Sequence, residues 1–220
     1  MIMKNRIFLV TQLAILIIVT MILGCSSEKT YNEEITAKAY AGEQSDVIVY
    51  LISSDYPHYE NLGELVTLST DIVIATILNE RVEWLNAWVG DIPEEIDPYE
   101  IFTIYQIEIH EVFQGSNEVG QIVEVTQLGG KMECTHFINE DRAPLYIGDN
   151  LLLFLRAPYT DDFPFVLMNP SQSAYRLNDA REEDGMMNVD EVLEGVHPYS
   201  DLFFTISDLI TLLDTCWQDY

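Results

Sequence analysis

The sequence predicts an α+β fold that is mostly β: a small antiparallel barrel of five to six strands, with one short helix before the first core strand and one helix closing the chain. Three observations carry this. Apolar runs of strand length recur at close spacing across residues 71–177, separated by glycine, proline and asparagine. Two of them, 71–78 and 151–155, are continuous rather than alternating, as expected of strands buried on both faces. Helical spacing with cap residues falls outside that block, at 61–69 and 205–217.

The elements follow in order. Residues 47–52, VIVYLI, form a first strand or a packed extended piece. Asn61 with Glu64 three positions on is a helix start, and Leu62, Leu65, Val66 and Leu68 share a face. The run Asp71, Ile72, Val73, Ile74, Ala75, Thr76, Ile77, Leu78 is the first core strand. Gly90, Pro93 and Pro98 mark a long acidic loop over 84–98. Over 99–112 strand character returns, with Thr103, Tyr105, Ile107 and Ile109 on one side; the parity slips at Val112 and Phe113, which predicts a β-bulge. Gly115 turns the chain into a partner strand over 121–128. Gly148 opens the strand 151–155, and shorter strands follow at 163–168 and 173–177. The closing helix has Thr205 as cap and Asp208 as its third residue. This reading places Ile72, Ile74, Ile107, Ile109, Leu151, Leu153 and Phe154 in one shared core.

The N-terminus reads as an address. Lys4 and Arg6 precede an uncharged stretch over 7–23 rich in Ile, Leu and Val, the form of a secretory signal. It ends in Ile22-Leu23-Gly24-Cys25, which resembles the lipobox of bacterial lipoproteins. The resemblance implies cleavage before Cys25, diacylglycerol on its sulfur and a fatty acyl group, such as palmitate, on the new amine. The alternative reading of the same run is an uncleaved spanning helix, at 17 residues the short limit of that class. Both readings put the bulk of the chain outside the cytoplasmic membrane. The domain boundaries expected are a signal over 1–24, a lipidated Cys25 with a polar tether to residue 46, and one globular domain over 47–220. The tether has a reach of about 25 Å.

Ten Lys and Arg face 37 Asp and Glu, a net charge of −27. Removing the leader takes two basic residues and no acidic one, leaving 196 residues at −29. A field of that sign repels phosphate backbones, so nucleic acid is excluded as a partner. It favours cationic peptides or divalent cations.

The stretch 59–177 resembles a group of secreted and lipid-anchored bacterial proteins, and in layout the netrin/TIMP-like variety of OB-fold barrel. The residues that carry this are Ser69-Thr70-Asp71-Ile72-Val73-Ile74-Ala75-Thr76-Ile77, the span from Thr103 to Gly115, and Gly148-Asp149 leading into Leu151–Leu155. The resemblance implies an OB-like barrel. Ala75 stands where the pattern prefers glycine, and the disulfide framework of eukaryotic netrin-like domains is absent.

Candidate sites are few. Once Cys25 is lipidated, Cys134 and Cys216 remain and can form one disulfide or stay as two thiols. Cys134-Thr135-His136 brings a thiol and an imidazole close in sequence, the residue types of zinc sites and Cys/His nucleophiles, but no second pair completes a ligand set. No serine-hydrolase elbow, calcium loop or cofactor motif is present, so neither a metal nor a cofactor is expected. Trp84 and Trp88 with Asp91, Glu94, Glu95 and Asp97 make the long loop the expected partner-binding surface. The favoured reading is a membrane-anchored, extracytoplasmic binding module without enzymatic activity that meets an envelope protein, a cationic peptide or a divalent ion. An envelope enzyme using Cys134 and His136 and a ligand-free structural envelope protein are the alternatives.

Overall fold

Residues 71–77 leave no polar face for water, and in the computed structural model they lie inside the larger of two sheets, with neighbours on both edges. The structure describes residues 48–87, 99–158, 160, 163–177 and 188–216, the side chains of Tyr99 and Cys216 excepted. They belong to one compact unit, Ile35–Tyr220. In chain order the elements are β1 (Ile48–Ile52), α1 (Leu62–Leu68), β2 (Asp71–Asn86), β3 (Tyr99–Gln114), β4 (Ile122–Leu128), β5 (Gly130–Met132), β6 (Thr135–Asn139), β7 (Asn150–Arg156), β8 (Phe165–Leu167), β9 (Ala174–Arg176), β10 (Glu194–Gly195) and α2 (Ile206–Cys216).

The larger sheet runs β10-β9-β7-β2-β3-β4-β8, and a further β7–β8 pairing closes β2, β3, β4, β8 and β7 into a ring of five. The fold is β-rich α+β with two helices, as expected, but the sheets are mixed rather than antiparallel. Strand β4 runs parallel to β8, and β1 parallel to β6. The first of these follows from the count: directions cannot alternate all the way round a ring with an odd number of strands. Residues 48–52 form a strand, one of the two forms expected of 47–52; this β1 stands outside the ring and builds a separate three-stranded sheet, β1-β6-β5, with two segments that the sequence reading left unassigned.

Side chains on β2 and β7 alternate between two cores. Val73, Ala75 and Ile77 meet Leu151, Leu153 and Leu155 inside the ring, with Tyr105, Ile107 and Ile109 from β3. Ile72, Ile74, Leu152 and Phe154 point the other way and are covered by Leu65 and Val66 of α1 and Ile206, Leu209 and Leu213 of α2. The seven residues expected in one core are therefore all buried, but they divide between two. A strand packed on both faces necessarily serves two layers.

The bulge expected near Val112 is present: Ile72 pairs with Gln114 and Val73 with Val112, so Phe113 is the extra residue. Two more irregularities, at His110 and Leu78, follow from the same register. The second sets Leu78 outside the core, 39% exposed, against the expectation of a strand buried throughout 71–78. The two helix starts are as read. Asn61 accepts a hydrogen bond from the Glu64 N–H at 3.1 Å, and Thr205 Oγ1 accepts from the Asp208 N–H at 3.0 Å while the Asp208 carboxylate accepts from the Thr205 N–H at 2.9 Å.

Asp71 and Gly115, from two of the sequence patterns, meet in space. The buried Asp71 carboxylate accepts from Asn117 Nδ2 at 2.8 Å and the Ser116 N–H at 3.3 Å. Gly115 has φ +114°, and a Cβ there would overlap that carboxylate. The β3–β4 turn is thus tied to the start of β2.

Leu153→Ala, inside the ring, should lower unfolding free energy by about 2–5 kcal/mol; an unchanged denaturation midpoint would remove Leu153 from the packed interior. Gly120 has φ +83° but open space around its missing Cβ. Gly120→Ala should therefore cost only the backbone strain, about 1–2 kcal/mol. Gly115→Ala should cost distinctly more, because Asp71 must also move, and chemical denaturation of the two variants side by side measures the difference.

Candidate functional site

Strands β2 and β3 have 16 residues each, whereas β4 and β7 have seven. The β2–β3 pairing continues from Asn79↔Gln106 out to Asn86↔Tyr99 as an arm, which β4 borders along β3 as far as Phe102↔Leu128. Arg81 braces its base: the guanidinium donates to both oxygens of Glu124 on β4, at 2.6 and 2.8 Å, and to Glu83 at 2.8 Å. The hydrogen bonds from Arg81 hold the Glu124 carboxyl below the usual range.

Trp84 pairs with Ile101 and Glu83 with Phe102, so Trp84 and Ile101 share one face of the arm and Phe102 takes the other. The small sheet backs the first face. The Trp84 ring meets Phe137 of β6 edge-on at 6.0 Å, and Phe137 stacks on Tyr50 of β1 at 4.7 Å. The close approach needs Gly130, whose Cβ would lie 2.7 Å from Val82.

On the Phe102 face lies a cavity of about 330 Å³. The arm supplies Asn86, Ala87 and Phe102 to its wall. The chain between β1 and α1 supplies Tyr56, Pro57 and Tyr59. Arg156, Ala157, Pro158, Thr160 and Phe163 come from the end of β7 and the segment beyond it, and Val166, Leu167 and Met168 from β8 and its end. Phe102 and Phe163 meet edge-on at 5.6 Å. The size is at the lower end of small-molecule pockets, roughly 300–1,000 Å³.

A buried amide pair fixes the floor. Gln172 accepts from the Tyr59 N–H and donates back to the Tyr59 carbonyl, both at 2.9 Å, and donates to Asp201 at 2.8 Å. Asn169 donates to the Pro57 carbonyl at 3.0 Å. Burial pushes the Tyr56 phenol up, against hydrogen bonds from Ser54 and Asn139 that favour its ionised form. Tyr59 is raised by burial too, opposed by the positive charge of Arg156.

Of the partner-binding set expected from sequence, Trp84 sits on β2 rather than in a loop. It is 49% exposed and turned to the small sheet, not the cavity. The strand extends because residues 79–86 find cross-strand partners in β3 that the local sequence does not advertise. Trp88, Asp91, Glu94, Glu95 and Asp97 lie outside the described residues, as does Cys25. Cys134 occupies the two-residue turn with Glu133 (φ +50°) between β5 and β6, exposed and with a free thiol. The side chain of its expected disulfide partner, Cys216, is outside the described residues. His136 lies on β6 between Val49 and Lys131, with Nε2 buried and without a hydrogen-bond partner. No hydrogen bond joins it to Cys134 among the described residues.

Among the described residues, no group of three or more His, Cys, Asp or Glu could hold a metal ion, and no helix is long and apolar enough to cross a membrane. No known protein family, curated protein or solved structure matches the chain.

The sequence reading missed the cavity because its wall is assembled from four separated segments. The clustered tyrosines and prolines at 56–59 and 157–163 were the only local sign. Tyr56, Tyr59, Tyr105 and Tyr175 all have phenols raised by burial above the ordinary value of 10.0. A group raised in the folded state contributes stability that is complete below the unfolded pKa and is lost as pH rises through the folded one. Stability should therefore hold up to about pH 10 and fall beyond it. Phenolate absorbance should show Tyr56, Tyr59, Tyr105 and Tyr175 ionising together with unfolding.

Proposed function

We propose that this chain is a lipid-anchored, extracytoplasmic binding module without enzymatic activity, built on an OB-type barrel. The single observation that carries the binding reading is the cavity between the β2–β3 arm and the segment joining β7 to β8. In a five-stranded Greek-key barrel of OB type, the connections between the first and second and between the fourth and fifth strands form the ligand-binding rim. The ring β2-β3-β4-β8-β7 supports that assignment through its parallel β4–β8 pair and antiparallel β7–β8 closure. Asn86 and Ala87 on one side and Ala157, Pro158 and Phe163 on the other flank the cavity at those two connections. The anchor rests on Lys4, Arg6, the apolar run and Gly24-Cys25. Two or more acyl chains hold stably where one would not.

Two experiments test the reading. Cys25→Ser should leave an uncleaved precursor without lipid; a mature, unlipidated chain starting at another residue, seen by mass spectrometry, would overturn the anchor. Full-length protein in zwitterionic vesicles should bind 4-phenylbutanol saturably by saturation-transfer NMR, above protein-free vesicles, and Val166→Trp should abolish the saturable part without lowering the melting temperature. Absence of saturable binding by the unsubstituted protein would show that the cavity does not bind small apolar molecules.

A further inference from the structure

The small sheet β1-β6-β5 has one edge against the arm and one edge open. On the β5 side, Gly129 donates its N–H to the Ile101 carbonyl at 2.8 Å, and a Cβ on Gly130 would lie 2.7 Å from Val82. On the other side, β1 pairs with β6 alone among the described residues. Ile48 donates its N–H to the Cys134 carbonyl at 2.8 Å, and the Ile52 carbonyl accepts from the Glu140 N–H at 3.4 Å. The main chain of Ile48, Tyr50 and Ile52 therefore faces β6, and by alternation the N–H and C=O groups of Val49 and Leu51 face outward. An open apolar edge is a template for a further strand, and proteins blunt it with lysine, proline or a bulge. Strand β1 has none of these: it reads IVYLI and pairs with β6 without a register shift. No Asp, Glu, Lys or Arg lies in 47–54 or 135–139, in a chain with 37 acidic residues.

We propose that β1 pairs antiparallel with β1 of a second copy about a two-fold axis at Tyr50, joining the two small sheets into one. The strand is close to a palindrome in residue type about Tyr50: Ile48 answers Ile52, and Val49 answers Leu51. Pairing centred there sets Val49 opposite Leu51 of the second copy. These are the residues whose main-chain groups face outward, so each such pair exchanges both of its hydrogen bonds. An isologous contact needs one patch that fits itself, and this strand supplies it. On one face Tyr50 meets Tyr50 of the second copy and extends the Tyr50–Phe137 stack, at 4.7 Å, into a row of rings. On the other face, the Val49–Leu51 pairs continue the row begun by His136 and Ile138 of β6. Charge favours this occupant. A charged peptide gains nothing from a neutral strip, whereas a second copy brings a neutral apolar strand of matching length and side chains. Two paired strands of this length are small beside the roughly 1,200–2,000 Å² of stable complexes, so the dimer is reversible and concentration-dependent.

The test is sedimentation equilibrium of the full-length protein in a non-ionic detergent. A monomer–dimer equilibrium is expected, strengthening as salt is added, because copies of net charge −27 repel each other through dilute buffer. Val49→Pro removes an outward N–H and leaves those facing β6, a change that an edge strand accepts. It should weaken the dimer about thirtyfold with the melting temperature unchanged. Leu51→Lys places a charge on the same edge and should act in the same direction, which keeps the test open if the proline disturbs β1. Directly opposed residues of a non-hydrogen-bonded pair have Cα atoms about 4.5 Å apart, within disulfide range. Tyr50→Cys, in a chain with Cys134→Ser and Cys216→Ser, should therefore cross-link two copies on mild oxidation, and Ser53→Cys in the same chain should not. Binding of 4-phenylbutanol should be unchanged by Val49→Pro, so this test and that of the cavity fail separately. A chain that stays monomeric at every concentration, a dimer that both edge variants leave intact, or a dimer that Tyr50→Cys does not cross-link would overturn the proposal. Capture of an extended peptide on β1 by a chain that stays monomeric would give the edge to another partner and overturn the second copy.

Discussion

Strands β2 and β7 bear apolar side chains on both faces, and their pairing from Asp71↔Leu155 to Thr76↔Asn150 is the partition on which both cores are built. A strand of this kind cannot stand at an edge or lie on the surface. Each buried aliphatic or aromatic side chain contributes about 1.5–3 kcal/mol. Leaving only the four outward residues, Ile72, Ile74, Leu152 and Phe154, in water would forfeit an amount comparable with the whole net stability of a typical domain, about 5–15 kcal/mol. Helices α1 and α2 therefore have to cover one side, and β3, β4 and β8 have to close round the other. Phe154, Tyr175 and Phe204, in mutual edge contact at 4.6–5.9 Å, join the outer core to the segment leading into α2.

Ring closure and strand length together produce the cavity. Seven-residue β4 and β7 match the ring, while β2 and β3 overrun it and carry hydrogen-bonded backbone out beyond the barrel. Beyond Glu83↔Phe102, where β4 ends, the arm is two-stranded, and an isolated two-stranded piece is marginal in water. This one is clad on its Trp84 face by β1-β6-β5 and on its Phe102 face by the Tyr56–Tyr59 chain and the segment after β7. The second cladding is incomplete, and the remaining space is the cavity. Buried Asn169 and Gln172 hold its floor through hydrogen bonds to main chain more than 110 positions away.

Charge is distributed on the same logic. An excess of carboxylates keeps the exterior solvated and self-repelling. The scarce arginines are spent at joints: Arg81 where the arm leaves the ring, Arg142 over the Tyr105 ring at 5.7 Å, Arg176 beside the turn that starts β7. Arg156 lines the cavity.

The linear chain by itself determined the elements whose signal is local. The two doubly buried strands follow from continuous apolar runs, the helix starts from Asn61 with Glu64 and Thr205 with Asp208, the bulge at Phe113 from a slip in alternation, and the turns from glycines such as Gly115. These depend on neighbours within a few residues. Only the tertiary structure decided what depends on long-range pairing: the closing parallel contact of β4 with β8, the transfer of residues 48–52 to a second sheet, and the extension of β2 through Trp84. It also decided the division of one expected core into two and the meeting of four remote segments around one cavity. Alternation along a strand states that two faces are apolar but not which layer each face meets, because that is set by the partners on the far side of the fold.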